Sequence, residues 1–424
     1  MRQYTKITVG CMVLILAGCS QTRHETAKNQ AQENWSKVRS RIKRQLAQEQ
    51  FEAFAFKDAA QSATQAIMLD PSDATAYVIL ARAQMENDEI AAARRTLRMA
   101  DAADLRSADL TYTEGVILER QGLLEEALEQ YRKAGSLDAT NIDYLVAEAE
   151  CLTALHQPEQ AQDLVDRNMD RFSHDVTLCV LAGHLSVLTG DVDQAIEQYR
   201  QALLTIPDDR MLAEICGLLL VEKQRYVEAL GILEPLLSEQ SDTPVSGTLL
   251  RALASCHLEL NDPQFARNIL EPHVRATPAD AMAQILLAKA ALAIGDLPTA
   301  IRCADKAGAV VPQNSEVYFV RAIIEWKQHN YERAAYLLEG VLSKNPDDVE
   351  AHCLLAETLT AQGDLSGARR HFEHALRTDS KCIWAASALR RMEGERPTVE
   401  DRTADARRTE MIAEFEHSTD RGYR

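Results

Sequence analysis

The sequence predicts an all-α solenoid of about ten tandem helix-turn-helix units closed by a C-terminal helix. Two small-residue registers and one absence predict it. Alanine recurs at Ala59, Ala93, Ala127, Ala161, Ala195, Ala229, Ala266, Ala300, Ala334 and Ala368, spaced by 34 residues except for 37 between Ala229 and Ala266. A second register holds only alanine or glycine, at Ala47, Ala81, Gly115, Ala149, Gly183, Gly217, Ala254, Ala288, Ala322 and Ala356. Such registers mark places where two helices cross too closely for larger side chains. The absence is of hairpin punctuation: with 17 glycines and 12 prolines in 424 residues, no Gly/Asn turns separate alternating apolar runs, so strands are not expected.

The first eighteen residues read as a processing signal. Arg2 and Lys6 precede the apolar run from Ile7 to Ala17, which is too short for a membrane span. Leu16-Ala17-Gly18-Cys19 follows and resembles the bacterial lipoprotein box. That resemblance implies that Cys19 becomes the first mature residue, carries the lipid, and holds the chain at a membrane of the cell envelope. Ser20 in the next position implies the outer membrane, with the chain facing the periplasm. The other reading is an ordinary secretory signal in which Cys19 is incidental.

Residues 19–39 read as a lipid-anchored tether, because they are polar and show no apolar periodicity up to about Asn34. Trp35 then leads into Lys37, Arg39, Arg41, Lys43 and Arg44. These cations either touch anionic headgroups beside the anchor or form a solvated face of the first repeat helix.

The array occupies residues 40–382, with units starting at Ser40, Ala74, Ala108, Ile142, Val176, Arg210, Gly247, Ala281, Ser315 and Val349. The last unit is the clearest. Leu354, Leu355, Ala356 and Leu359 give one apolar stripe, Gly363-Asp364 breaks it, and Ala368, Phe372 and Ala375 resume it. Helices of about a dozen residues are marginal alone and draw stability from each other. This pattern resembles the tetratricopeptide repeat, which implies a right-handed superhelix with a concave groove, formed by the first helices, that takes a protein or peptide partner. Pro71, Pro207, Pro278, Pro312 and Pro346 share one register near unit ends, where proline stops a second helix. The extra three residues lie in the polar stretch from Ser238 to Ser246. Residues 383–393, with Trp384 and Leu389, read as a capping helix. Residues 394–424 read as a charged, disordered tail in which Met411, Ile412 and Phe415 allow at best a short helix.

Two registers point at the groove: Val180 and Val187, Val221, Leu258, Ile285 and Leu292, then Phe319 and Trp326. The same residues could instead pack neighbouring first helices, since apolar helical positions are core by default. The lysine and asparagine clamp of chaperone-binding tetratricopeptide domains is not matched, as its registers carry residues such as Val146 and Glu150.

Other chemistry finds little support. A net charge of −18 without a basic aromatic stripe argues against nucleic acid. No H-E-x-x-H, G-x-S-x-G, phosphate loop or dinucleotide fingerprint is present, so no enzyme, cofactor, metal or small-molecule substrate is expected. His371 and His374 share a helical face but read as a solvated pair rather than half a metal site. Of nine cysteines, Cys151, Cys179, Cys216, Cys256, Cys303, Cys353 and Cys382 follow Cys19, odd in number and without C-x-x-C, so most read as small core residues. Cys151 with Cys179 is the coupling the spacing suggests. The function expected is a non-enzymatic interaction scaffold, an assembly factor for a pilus, secretin or outer-membrane protein machine. A structural subunit of an exopolysaccharide-export complex is the alternative.

Overall fold

The structure is a computed structural model that describes the backbone of residues 4–172, 175–238 and 245–394, with side chains over 28–172, 175–237 and 245–394. Every regular element among the described residues is an α-helix. The chain forms two compact units, Met1–Thr205 and Ile206–Arg424.

In the first unit, the helix Tyr4–Glu52 packs its C-terminal part on Phe56–Leu69, and four helix pairs follow. These are Ala74–Glu86 with Ile90–Ala102, Ala108–Arg120 with Leu124–Leu137, Ile142–Ala154 with Pro158–Asp166, and Val176–Thr189 with Val192–Thr205. The second unit pairs Arg210–Glu222 with Tyr226–Leu233, Gly247–Glu259 with Pro263–Ala276, Ala281–Ala293 with Leu297–Val310, Ser315–Lys327 with Tyr331–Leu342, and Val349–Gln362 with Leu365–Thr378. The helix Ile383–Met392 closes it.

Each pair is held by one turn, repeated ten times. The left-handed residue is Phe54, Asp88, Gly122, His156, Gly190, Gln224, Asn261, Gly295, His329 or Gly363. The amide that follows it bonds the carbonyl five residues back, as Asp191 does to Ser186 and Asp364 to Leu359, over 2.7–3.0 Å in all ten copies. This closure satisfies carbonyls that the helix end would otherwise orphan. First helices are opened by Ser107, Asn141, Asp175, Asp209, Ser246, Asp280, Asn314 and Asp348, whose side-chain oxygens accept from amides two or three residues on.

All ten alanines of the first register are fully buried, with 0 % exposure. In the second register the glycines have a visible cause. A Cβ on Gly115 would lie 2.6 Å from the Tyr131 ring, and one on Gly217 would lie 2.2 Å from Leu233. Two of the three glycines face a tyrosine, Tyr131 and Tyr199, and the third faces Leu233. At these three crossings the facing side chain already fills the space a Cβ would need.

Residues 19–39, read from sequence as a tether, continue the helix Tyr4–Glu52. Absence of an apolar stripe does not prevent helix formation when no glycine or proline intervenes from Ser20 to Glu52. The Lys37 to Glu33 pair at 2.8 Å adds i,i+4 support. Ser40 is fully buried and donates from Oγ to the Ala66 carbonyl at 2.9 Å, tying this helix to the first repeat. Within the basic cluster, Arg44 grips both carboxylate oxygens of Asp73 at 3.0 and 3.1 Å.

The closing helix buries Ala385 and Ala388 against Phe372, Ala368 and Ala375. Trp384 donates from Nε1 to Glu357 at 3.2 Å. The expected short helix around Met411, Ile412 and Phe415 lies outside the described residues, as does most of the polar stretch after Ser238. No described helix is long and apolar enough to cross a membrane.

Candidate functional site

Between first helices of the second unit lies a pocket of about 390 Å³. Its floor is apolar, made by Leu292, Phe319, Ile323 and Val341, and its rim is acidic, made by Glu259, Glu316, Asp348 and Glu350. Lys289 also lines it and pairs with Glu316 at 3.2 Å. Repeat geometry explains the convergence. Glu316 and Glu350 occupy the second position of successive first helices, so the 34-residue spacing stacks them on one face.

Four carboxylates against one ammonium leave a surplus of negative charge. Glu350 sits among them. Enclosure by surrounding protein, followed by the charges of Asp348, Glu259 and Glu316, pushes its carboxyl upward, while Lys289 opposes. Water still reaches Glu350, whose side chain is exposed at the pocket mouth. Asp348 spends one oxygen on the Ala351 amide at 2.9 Å, which opens the helix Val349–Gln362.

Of the groove residues read from sequence, the structure brings Leu292 and Phe319 together at this pocket. Ile285 is corrected to core, since it is only 1 % exposed and packs among Leu287, Ala288 and Val317. Leu258 and Trp326 are half-buried against that same core and are not part of the pocket lining. Val221 is half-buried on its own first helix. In the first unit, Val180 is half-buried and Val187 is 39 % exposed. The side chain of Cys19 lies outside the described residues. Glu259, Lys289, Glu316 and Glu350 were missed because only two apolar registers were followed. The polar second, ninth and thirteenth positions of the first helices carry them.

The histidines are also corrected. His371 and His374 are not a solvated pair, because His352 joins them from the preceding helix. Its ring stacks on His374 at 4.1 Å, and its Nδ1 lies 2.8 Å from His371 Nδ1. His352 Nε2 lies 2.9 Å from the Pro346 carbonyl, which can only accept, so this nitrogen carries the proton. Neutral His352 then accepts at Nδ1 from the His371 Nδ1–H. Burial is the main cause holding both imidazoles below the usual histidine range.

With this fold in view, the chain belongs to the tetratricopeptide repeat family: one sequence model of that family matches residues 76–301 and a second matches residues 325–392. Its repeats make it a scaffold of the kind used for protein–protein interaction. Among curated proteins it is similar to BBSome complex member BBS4 of Bos taurus, 24% identical over 263 residues, and of Mus musculus, 26% identical over 278 residues. Each alignment covers 62% of this chain, and the chain spans about half the length of these relatives, 49%. Solved structures similar to it include a tetratricopeptide repeat protein from Parabacteroides merdae, at 17% identity and TM-score 0.41, covering 59% of this chain and 98% of that one. The APC/C hetero-tetramer Cut9-Hcn1 is similar at 14% identity and TM-score 0.46, covering 83% and 76%.

Proposed function

We propose that this chain is a non-enzymatic assembly scaffold, held at the cell envelope by a lipid on Cys19, that captures a partner segment presenting a basic side chain flanked by apolar ones. The pocket of Leu292, Phe319, Glu316 and Glu350 carries the reading, because an apolar floor beneath excess carboxylate suits a lysine or arginine stem with its charged head. Enclosure first, and then the neighbouring carboxylates, push the Glu350 carboxyl upward, and a bound cation would offset the second of these. The curated relatives are members of a complex by name, which supports a part in assembly over chemistry. A pilus, secretin or outer-membrane protein machine is the class of assembly we favour.

Fluorescent peptides carrying one lysine between leucine and phenylalanine test the pocket, with glutamate in place of lysine as control. The lysine peptide is expected to bind, and the pair Glu316→Lys with Glu350→Lys to weaken it by about tenfold or more, ~1.4 kcal/mol, with unchanged helicity. Equal binding of the glutamate peptide, or indifference to both substitutions, would overturn the pocket assignment. Anchoring is tested separately. Cys19→Ala is expected to move the protein from the membrane fraction to the soluble fraction and to abolish incorporation of a labelled acyl chain. Unlabelled wild-type protein would remove the lipid from this account.

A further inference from the structure

Two thiols meet where the closing helix joins the last repeat. Cys353 lies on the helix Val349–Gln362 with 0 % exposure, and Cys382 is the residue that opens Ile383–Met392. Their sulfurs stand 3.8 Å apart. We propose that Cys353 and Cys382 are a redox-active dithiol, a modification site whose closure to a disulfide pins the closing helix to the array. Closing the gap to a bond of about 2 Å asks for rotation of the Cys382 side chain at a helix start, where the chain is least constrained.

The two thiols have complementary roles. Cys382 is partly exposed, and its hydrogen bond with Cys353, followed by the amides of Ala385 and Trp384, holds its thiol down at about 6. A thiol of that character at a helix N-terminus is an attacking nucleophile. The bond to Cys382, and then burial, keep Cys353 protonated as the resolving thiol. Every other described cysteine, Cys151, Cys179, Cys216, Cys256 and Cys303, is buried. Burial pushes the thiols of Cys151, Cys179 and Cys303 upward and that of Cys256 to about 11. Cys151, which the sequence couples with Cys179, donates to the Leu124 carbonyl at 3.2 Å.

The oxidant is a low-molecular-weight disulfide such as oxidised glutathione. The Cys382 thiolate attacks one glutathione sulfur and expels the other half as a thiolate, leaving a mixed disulfide. Cys353 gives up its proton and attacks the Cys382 sulfur, expelling the second half. Two glutathiones leave reduced, and the protein loses two hydrogens and two electrons. The new bond closes a loop between residues 29 apart and ties the helix that covers Phe372 to the repeat beneath it.

The test treats the reduced full-length chain with oxidised glutathione at neutral pH, alkylates remaining thiols, and maps peptides without reduction. A Cys353–Cys382 linked pair, two hydrogens lighter than its separate peptides, is expected, together with a melting midpoint of the C-terminal repeats raised by several degrees. Cys353→Ser should accumulate glutathione on Cys382, whereas Cys382→Ser should leave Cys353 unmodified. A lasting glutathione adduct on wild-type Cys382, a link to any other cysteine, or no reaction at Cys382 would overturn the proposal. Because Cys353→Ser reads out adduct formation on Cys382, a failure to close is distinguished from a failure to attack.

Discussion

Replacing Gly183 with valine is expected to destabilise the first unit by about 3 kcal/mol, at the upper end of what overpacking a closed core costs. A Cβ at this position would meet Tyr199 at 2.4 Å from Cε1 and 2.8 Å from Cζ. Tyr199 cannot step aside, since its ring is 1 % exposed and its edge faces His184 at 5.6 Å. Removing glycine from a helix would gain up to about 1 kcal/mol if there were room, so the clash must outweigh that gain for the sign to hold. The double variant with Tyr199→Ala decides the cause. Valine would then fill space the ring vacated, and the two effects should fall short of their sum by at least about 1 kcal/mol. Strict additivity in denaturant melts would mean that Tyr199 is not what excludes a side chain from Gly183.

The fold was legible because its signal is redundant. Ten alanines in one register and ten small residues in another can be read without knowing any contact, and the buried crossings they mark have one physical cause. The turn was half legible. Gly122, Gly190, Gly295 and Gly363 announce a left-handed residue, and Asp88 and Asn261 are types that visit that region, but the same conformation at Phe54 and Gln224 is imposed by the helix pair on residues that rarely choose it. The helical character of residues 19–39 was hidden for the opposite reason. Apolar periodicity reports burial, and the described side chains from Lys28 to Arg39 on this helix bury little.

The candidate pocket was less legible because periodicity finds faces and cannot say which side of a face is covered. Ile285 and Phe319 occupy the same register, yet one is sealed in the core and the other lines a pocket. Phe319 shares its pocket lining with Glu316 and Glu350, whereas Ile285 packs in the cluster with Leu287, Ala288 and Val317. His352 was missed on similar grounds, since it sits nineteen residues before His371 and only the turn between their helices brings the rings together.

Trp326 is where the sequence left core and groove open, and its substitution carries the second large effect. Its ring packs on the cluster that includes Val320, Ile323 and Leu355, with its edge toward Tyr331 at 6.3 Å. The indole Nε1 is enclosed and has no hydrogen-bond partner among the described residues. Trp326→Glu is therefore expected to destabilise the second unit by about 3 kcal/mol, from lost aromatic burial and a carboxylate set against apolar neighbours. Trp326→Phe should stay within about 1 kcal/mol of the wild type, because deleting an unsatisfied buried N–H offsets the smaller ring. Thermal melts of both variants, read beside binding of the lysine peptide, separate the two roles. If Trp326→Glu melts like the wild type but no longer binds the peptide, the indole belongs to the binding surface after all; if Trp326→Phe binds normally while Trp326→Glu loses its cooperative melt, the residue is a wall of the repeat on which Phe319 and Glu350 are mounted.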